Sequence, residues 1–182
     1  KGSMRVDLTF YGERGHLANP MTKNATEEAL DFIQSLRTNH GKVNYKSLTI
    51  RPLKMQSSET KCDILLDIRL PLGMNEDDVL RIIGKGRVIE CTSPYEINPS
   101  NKIVVSMKRA IRRVTGERAE LVRKTGTGDM NIFSEVCQNC ITYGPGDSRL
   151  DHTSNEHIDI DEFLSSSEIY QEFIKILDAE NG

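Results

Sequence analysis

The densest group of chemically capable side chains lies between Gly144 and His157. There Asp147, Ser148, Arg149, Asp151, His152, Glu156 and His157 share one Gly- and Pro-containing loop. A neutral imidazole at His152 can bind a metal, and Asp151 or Glu156 can orient that ring from behind. A zinc site takes three or four ligands, and no HxxxH or HxH pair accompanies His152. The plain alternative is a solvated loop. A second candidate is the Gly-rich turn Lys124-Thr125-Gly126-Thr127-Gly128-Asp129, which precedes a predicted helix. Backbone N–H groups at such a turn can receive a carboxylate, and glycines permit its close approach. Its plain alternative is a tight helix-start turn. Cys137 and Cys140 form a lone CxxC. Without a second pair they do not predict a structural zinc site and read as two small buried side chains at the start of a strand. Lys108, Arg109, Arg112 and Arg113 read as a solvated helix face.

These residues must be carried by regular elements. Val6, Leu8 and Phe10 alternate with Arg5, Asp7 and Thr9, which predicts a strand with one buried face. Asn24 is placed to cap a helix whose apolar side is Ala25, Ala29, Phe32, Ile33 and Leu36. Leu48 to Met55 reads as a second strand, and the alternation of Cys62, Ile64, Leu66, Ile68 and Leu70 as a third. Asn75 caps a short predicted helix through Val79, Leu80 and Ile83, and Arg87 to Cys91 is a fourth strand. This β-α-β-β-α-β order is that of a ferredoxin-like α+β domain. Prolines at Pro94 and Pro99 then break the pattern. Beyond them the spacing predicts a helix over Ile103–Val114 ended by Gly116, and a short strand at Ala119–Val122. A helix over Met130–Val136, a short strand at Cys140–Tyr143 and a final amphipathic helix over Ile160–Leu177 follow. Two short strands make no stable sheet alone, so this segment's helices are expected to cover a sheet from elsewhere.

The totals set outer limits. The chain has 182 residues, a net charge of −3, 37% hydrophobic and 28% charged residues. That composition suits a soluble globular protein of one or two domains, and with only four cysteines reduced thiols in a cytoplasmic protein are the default. It offers no electrostatic reason to expect nucleic acid, and no apolar run spans a bilayer. Four cysteines are too few for a disulfide scaffold.

Three separated motifs carry a family resemblance. Lys124 to Asp129, then Tyr143-Gly144-Pro145-Gly146, then His152-Thr153-Ser154-Asn155-Glu156 resembles the closing signature of the di-zinc aminoacylase and carboxypeptidase family. Acetylornithine deacetylase and succinyl-diaminopimelate desuccinylase are members. Gly12 to Pro20, followed by Asn24-Ala25, is similar to the GxxGHxAxP segment that opens that family's lid, or dimerisation, domain. Asp67-Ile68-Arg69 resembles its DxR strand. Gly146 to His152 further resembles hydrolases that release lysine or ornithine from the terminal glutamate of an acidic amino-group carrier protein. The family's HxD motif, bridging Asp and Glu-Glu pair lie upstream of the lid and have no counterpart here. Glu27-Glu28 reads as a solvated helix face, and Met55-Gln56-Ser57-Ser58 stands where the family has Asn-x-Ile-Pro.

The resemblance implies an α/β protein in two parts. Residues 1–95 would be a ferredoxin-like lid that forms a homodimer, and 96–182 the C-terminal part of a zinc-peptidase-like catalytic domain. Activity would be hydrolysis of an N-acylated or carrier-linked amino acid in lysine or arginine biosynthesis. The cofactor would be two zinc ions, with cobalt a substitute, and this chain alone would be an inactive fragment. His152 would hold one metal. His16 would donate to the developing oxyanion across the dimer; otherwise it is a capped turn histidine. Arg69 would grip the substrate carboxylate, because a guanidinium can do so bidentately; otherwise it is a strand charge. Gly126, Thr127 and Gly128 would also meet that carboxylate, and Asp147, Ser148 and Arg149 would line the pocket. The basic helix stretch would be a weaker dock for an acidic carrier. The competing class is a non-catalytic ferredoxin-like module that dimerises or binds a small ligand.

Overall fold

A computed structural model describes residues 1–14, 23–40, 44–84 and 86–181. His16 and most of the Gly12–Pro20 motif lie outside the described residues. The elements are β1 (Gly2–Tyr11), α1 (Ala25–His40), β2 (Thr49–Ser57), β3 (Lys61–Leu70), α2 (Glu76–Ile83) and β4 (Arg87–Thr92). Then come α3 (Lys102–Thr115), α4 (Asp129–Phe133) and α5 (Ile160–Asn181). Among the described residues this is one antiparallel four-stranded sheet and five helices, with strand order β2-β3-β1-β4.

The chain divides into two compact units. The first holds Lys1–Glu96 and Arg123–Ile132, and the second Ile97–Val122 and Phe133–Gly182. The segment carrying the Gly-rich turn therefore packs with the first unit, although it follows the proline break in sequence.

In the first unit the period of two does the sorting. Met4, Val6 and Leu8 of β1 stand opposite Ile68, Leu66 and Ile64 of β3, and all six are buried on one face. Ala25, Ala29 and Leu36 of α1 and Val79 and Ile83 of α2 belong to the same core. Each fully buried Leu or Ile contributes roughly 1.5–3 kcal/mol. The intervening β1 residues are polar and pair with β4: Arg5 with Glu90 at 3.3 Å and Asp7 with Arg87 at 2.5 Å. Pro52 is tolerated because β2 is an edge strand and its ladder shifts register between Pro52 and Lys54. Asn24 and Glu27 form a capping box, with the Glu27 N–H donating to Asn24 Oδ1 at 3.0 Å and the Asn24 N–H to Glu27 Oε2 at 2.9 Å. Asn75 and Asp78 do the same for α2, both at 3.0 Å.

The second unit is a pair of helices, α3 and α5, around Met107, Ala110, Ile169 and Ile176. Asn101 caps α3 by accepting from the Ile103 N–H at 3.0 Å, and Gly116 ends it at φ 76°. The basic stretch of α3 is not simply solvated: Arg109 pairs with Glu180 at 2.6 Å and Arg113 with Glu172 at 2.7 Å. The α5 residues Ile160, Phe163, Leu164 and Ile174 are exposed.

Four local expectations fail. Neither Ala119–Val122 nor Cys140–Tyr143 forms a strand. A strand needs a partner ladder, and the described second unit has no sheet to pair with. Helix α4 stops at Phe133 rather than Val136, and Cys137 is exposed rather than buried.

Candidate functional site

The first unit gathers two of the predicted substrate-binding motifs. Arg69 lies near the end of β3, on the polar face of the sheet, opposite Ser3 of β1 and Thr49 of β2. Its Nη2 pairs with Asp67 Oδ2 at 3.3 Å, and its Nη1 donates to Thr127 Oγ1 at 3.5 Å. Thr127 Oγ1 in turn donates to the Lys1 carbonyl at 3.0 Å. The Lys1 Nζ is close by, donating to the Ser47 carbonyl at 2.6 Å and to Thr49 Oγ1 at 3.0 Å. Burial, and then the neighbouring Arg69 charge, push this ammonium below its ordinary range. Two cations thus converge beside a glycine turn, an environment that favours an anionic group.

The turn is held from both sides. Arg123 donates to Glu96 Oε1 through Nε at 3.1 Å and Nη2 at 2.5 Å, and its guanidinium lies 5.3 Å from the Tyr45 ring centre. That hydrogen bonding holds the Glu96 carboxyl below its usual range. After the turn, Asn131 is only 3% exposed and bonds to the backbone of Gly128, Lys1 and Ser93. A Cβ at Gly126 or Gly128 would meet nothing within 4 Å, so the backbone there is open to an approaching group. The Gly128 N–H itself is engaged by Asn131 Oδ1 at 3.1 Å.

The second unit carries His152, Asp147, Ser148 and Arg149, all exposed on the polar loop. His152 sits at φ 63°, the one non-glycine positive φ among the described residues. Such a conformation is uncommon outside glycine, though His, Asn and Asp adopt it more than others. Glu156 supports the backbone rather than the ring: its Oε2 accepts from the His152 N–H at 2.9 Å. Asp147 accepts from Arg149 Nε at 2.9 Å and Nη2 at 2.5 Å. Those bonds, with one from the Arg149 backbone, hold the Asp147 carboxyl down at about 2. Among the described residues no three His, Cys, Asp or Glu side chains are grouped to hold a metal. His152 is a single candidate ligand and does not complete a zinc site.

The Cys pair makes no such site either. Neither Cys137 nor Cys140 is in a disulfide, and the Cys140 thiol donates to the Cys137 carbonyl at 3.0 Å.

Residues 15–176 match the family model described as Peptidase family M20/M25/M40. The chain belongs to that family. A relative from Pyrobaculum aerophilum, provisionally named a LysW-lysine/LysW-ornithine hydrolase, is 32% identical over 168 residues. That match covers 88% of this chain and 49% of the relative. The LysW-lysine/LysW-ornithine hydrolase of Sulfurisphaera tokodaii is 27% identical over 182 residues, covering 93% of this chain and 51% of its own. The chain thus spans about half the length of the curated relatives it matches. An M20 family metallo-carboxypeptidase from Sulfolobus solfataricus shares the fold, with a TM-score of 0.65 at 16% identity. It is covered over 58% of its length, and this chain over 96%. No helix of the described residues is long and apolar enough to cross a membrane.

Sequence reasoning singled out Arg69 and Thr127, which come together, but missed Lys1, Arg123 and Asn131. Asn131 carries no pattern of its own. Lys1 looks like an ordinary strand charge that only pairing across 126 residues brings to the turn, and Arg123 stands beside the turn in sequence but finds its partner, Glu96, 27 residues away.

Proposed function

We propose that this chain is the C-terminal portion of a metal-dependent amide hydrolase of the M20 kind. It would release lysine or ornithine from an N-acylated or carrier-protein-linked precursor in amino-acid biosynthesis. Residues 1–95 are the ferredoxin-like lid through which two copies associate, and residues 96–182 belong to the catalytic domain. The observation that carries this reading is the meeting of Arg69 with Thr127, 58 residues apart, beside a partly buried Lys1 ammonium. Arg69 grips the substrate carboxylate as a fork, and Thr127 fixes the orientation of that fork. Gly126, Thr127 and Gly128 give the carboxylate a side of backbone with no glycine Cβ in its path. Asp147, Ser148 and Arg149 are substrate-binding residues by the family resemblance, the first and third locked to each other. His152 holds one of two zinc or cobalt ions, and the remaining ligands come from polypeptide outside this chain. His16 donates to the oxyanion, a role that rests on the family motif alone. The names of the LysW hydrolase relatives support the carrier-linked substrate.

The test uses the full-length polypeptide and the present chain in parallel. Loaded with zinc or cobalt, the full-length protein is expected to release lysine or ornithine from the acylated or carrier-linked forms. The present chain alone is expected to release neither. His152→Ala in the full-length protein should lower both bound metal and turnover. A metal-loaded full-length protein that dimerises yet cleaves none of these amides would show a binding module instead.

A further inference from the structure

We infer that Asn131 is a positioning residue that sets the carboxylate grip by fixing the Gly126–Gly128 turn against Arg69. The inference deepens the proposed carboxylate site and rests on it. Asn131 is 3% exposed, yet it projects from a five-residue helix with exposed neighbours at Ile132 and Phe133. Its amide works in two directions. Oδ1 accepts from the Gly128 N–H at 3.1 Å. Nδ2 donates to the Lys1 carbonyl at 3.1 Å and to the Ser93 carbonyl at 3.0 Å. The Asn131 N–H also donates back to the Gly128 carbonyl at 2.9 Å. The turn is therefore tied at its last glycine to the backbone at both ends of the first unit's continuous stretch.

The Lys1 carbonyl is the shared anchor. It accepts from Asn131 Nδ2 at 3.1 Å and from Thr127 Oγ1 at 3.0 Å. Thr127 Oγ1 spends its own hydrogen there, which leaves its lone pairs facing the Arg69 donor at 3.5 Å. The polarity of the Arg69–Thr127 contact is thus set by the same carbonyl that Asn131 holds. A carboxamide is needed for this. Its two ends supply an acceptor for an N–H and donors for two carbonyls. An aspartate of the same shape would set an anionic oxygen against the Lys1 and Ser93 carbonyls, in a buried position where unpaired polar groups cost most.

The test is a pair of substrates differing at one group, assayed with the metal-loaded full-length enzyme. One substrate is the N-acyl amino acid with a free carboxylate, and the other is its carboxamide. Asn131→Asp is expected to raise KM for the free acid about ten- to hundredfold, the loss of a buried hydrogen-bond set. It should leave kcat within about twofold and leave the carboxamide's KM unchanged. Arg69→Ala runs alongside as the reference. If Arg69→Ala discriminates between the two substrates and Asn131→Asp does not, the inference about Asn131 is wrong. If Arg69→Ala does not discriminate either, the carboxylate site itself is wrong. Should the Asn131→Asp variant fail to fold, amide hydrogen exchange in the wild-type protein decides: a pinned Gly128 N–H exchanges slowly, and free exchange there overturns the inference.

Discussion

A histidine at φ 63° costs the folded chain something that glycine would not cost, and this can be separated from what its ring does. Two substitutions divide the effects. His152→Ala removes the imidazole and keeps the left-handed backbone under strain. His152→Gly removes the imidazole and relieves the strain. A left-handed L-residue costs roughly 1–2 kcal/mol relative to its right-handed form. Glycine recovers that but loses about 0.5–1 kcal/mol more entropy on folding. The Gly variant should therefore be more stable than the Ala variant by about 0.5–1 kcal/mol, or roughly 1–4 °C in Tm for a chain of this length. Because the His152 ring is exposed, little packing is lost in either case. The assay is calorimetric unfolding of the two variants side by side, with metal content of the full-length forms measured in parallel. Both variants should bind less metal by the same factor while differing in Tm. Equal Tm values, or an Ala variant more stable than the Gly variant, would refute the strain argument. Equal metal content with wild type would remove the reason for a histidine in that conformation.

Three further outcomes are expected. Leu66→Ala, at a fully buried position in the middle of β3, should cost about 2–5 kcal/mol by urea unfolding; a loss under about 1 kcal/mol would mean the sheet face is not the core. Asn75→Ala removes one half of the α2 capping box and should cost about 1 kcal/mol in the same assay, with Asn75→Gly costing less. Asp147 should titrate at about 2 by carboxyl NMR, and Arg149→Gln should return it toward the ordinary carboxylate range. Since its folded value is depressed, whatever this pair adds to stability is present above about pH 4 and lost as pH falls toward about 2. A titration of Asp147 at its ordinary value would mean that the Arg149 pairing does not persist in solution.

Local physics made much of the first unit legible in advance. Period-two alternation in Val6, Leu8 and Phe10 and in Cys62 to Leu70 needs only the pleat and one buried face, so β1 and β3 appear where expected. Asn24, Asn75 and Gly116 act at helix ends through bonds to residues three or four away, and sequence carries that information directly. Asn101 uses the same chemistry, but Asn98, Ser100 and Asn101 crowd the stretch around Pro99, and each is a residue type able to cap; the backbone path selects the last. The motifs around Arg69, the Gly-rich turn and His152 also stood out, because their residue types and spacing are those of a family whose model then matched residues 15–176.

What the tertiary structure decided is pairing at long range. Whether Ala119–Val122 and Cys140–Tyr143 become strands depends on a neighbouring ladder, which no window of sequence contains, and the described second unit offers none. That Arg123–Ile132 packs with the first unit, carrying Thr127 to Arg69 and Asn131 to the Lys1 and Ser93 carbonyls, is likewise invisible in composition or period. A buried amide satisfied by two distant carbonyls and one nearby N–H has no sequence signature. Hydrogen-bond partners are chosen by where the backbone passes, and only the folded chain fixes that path.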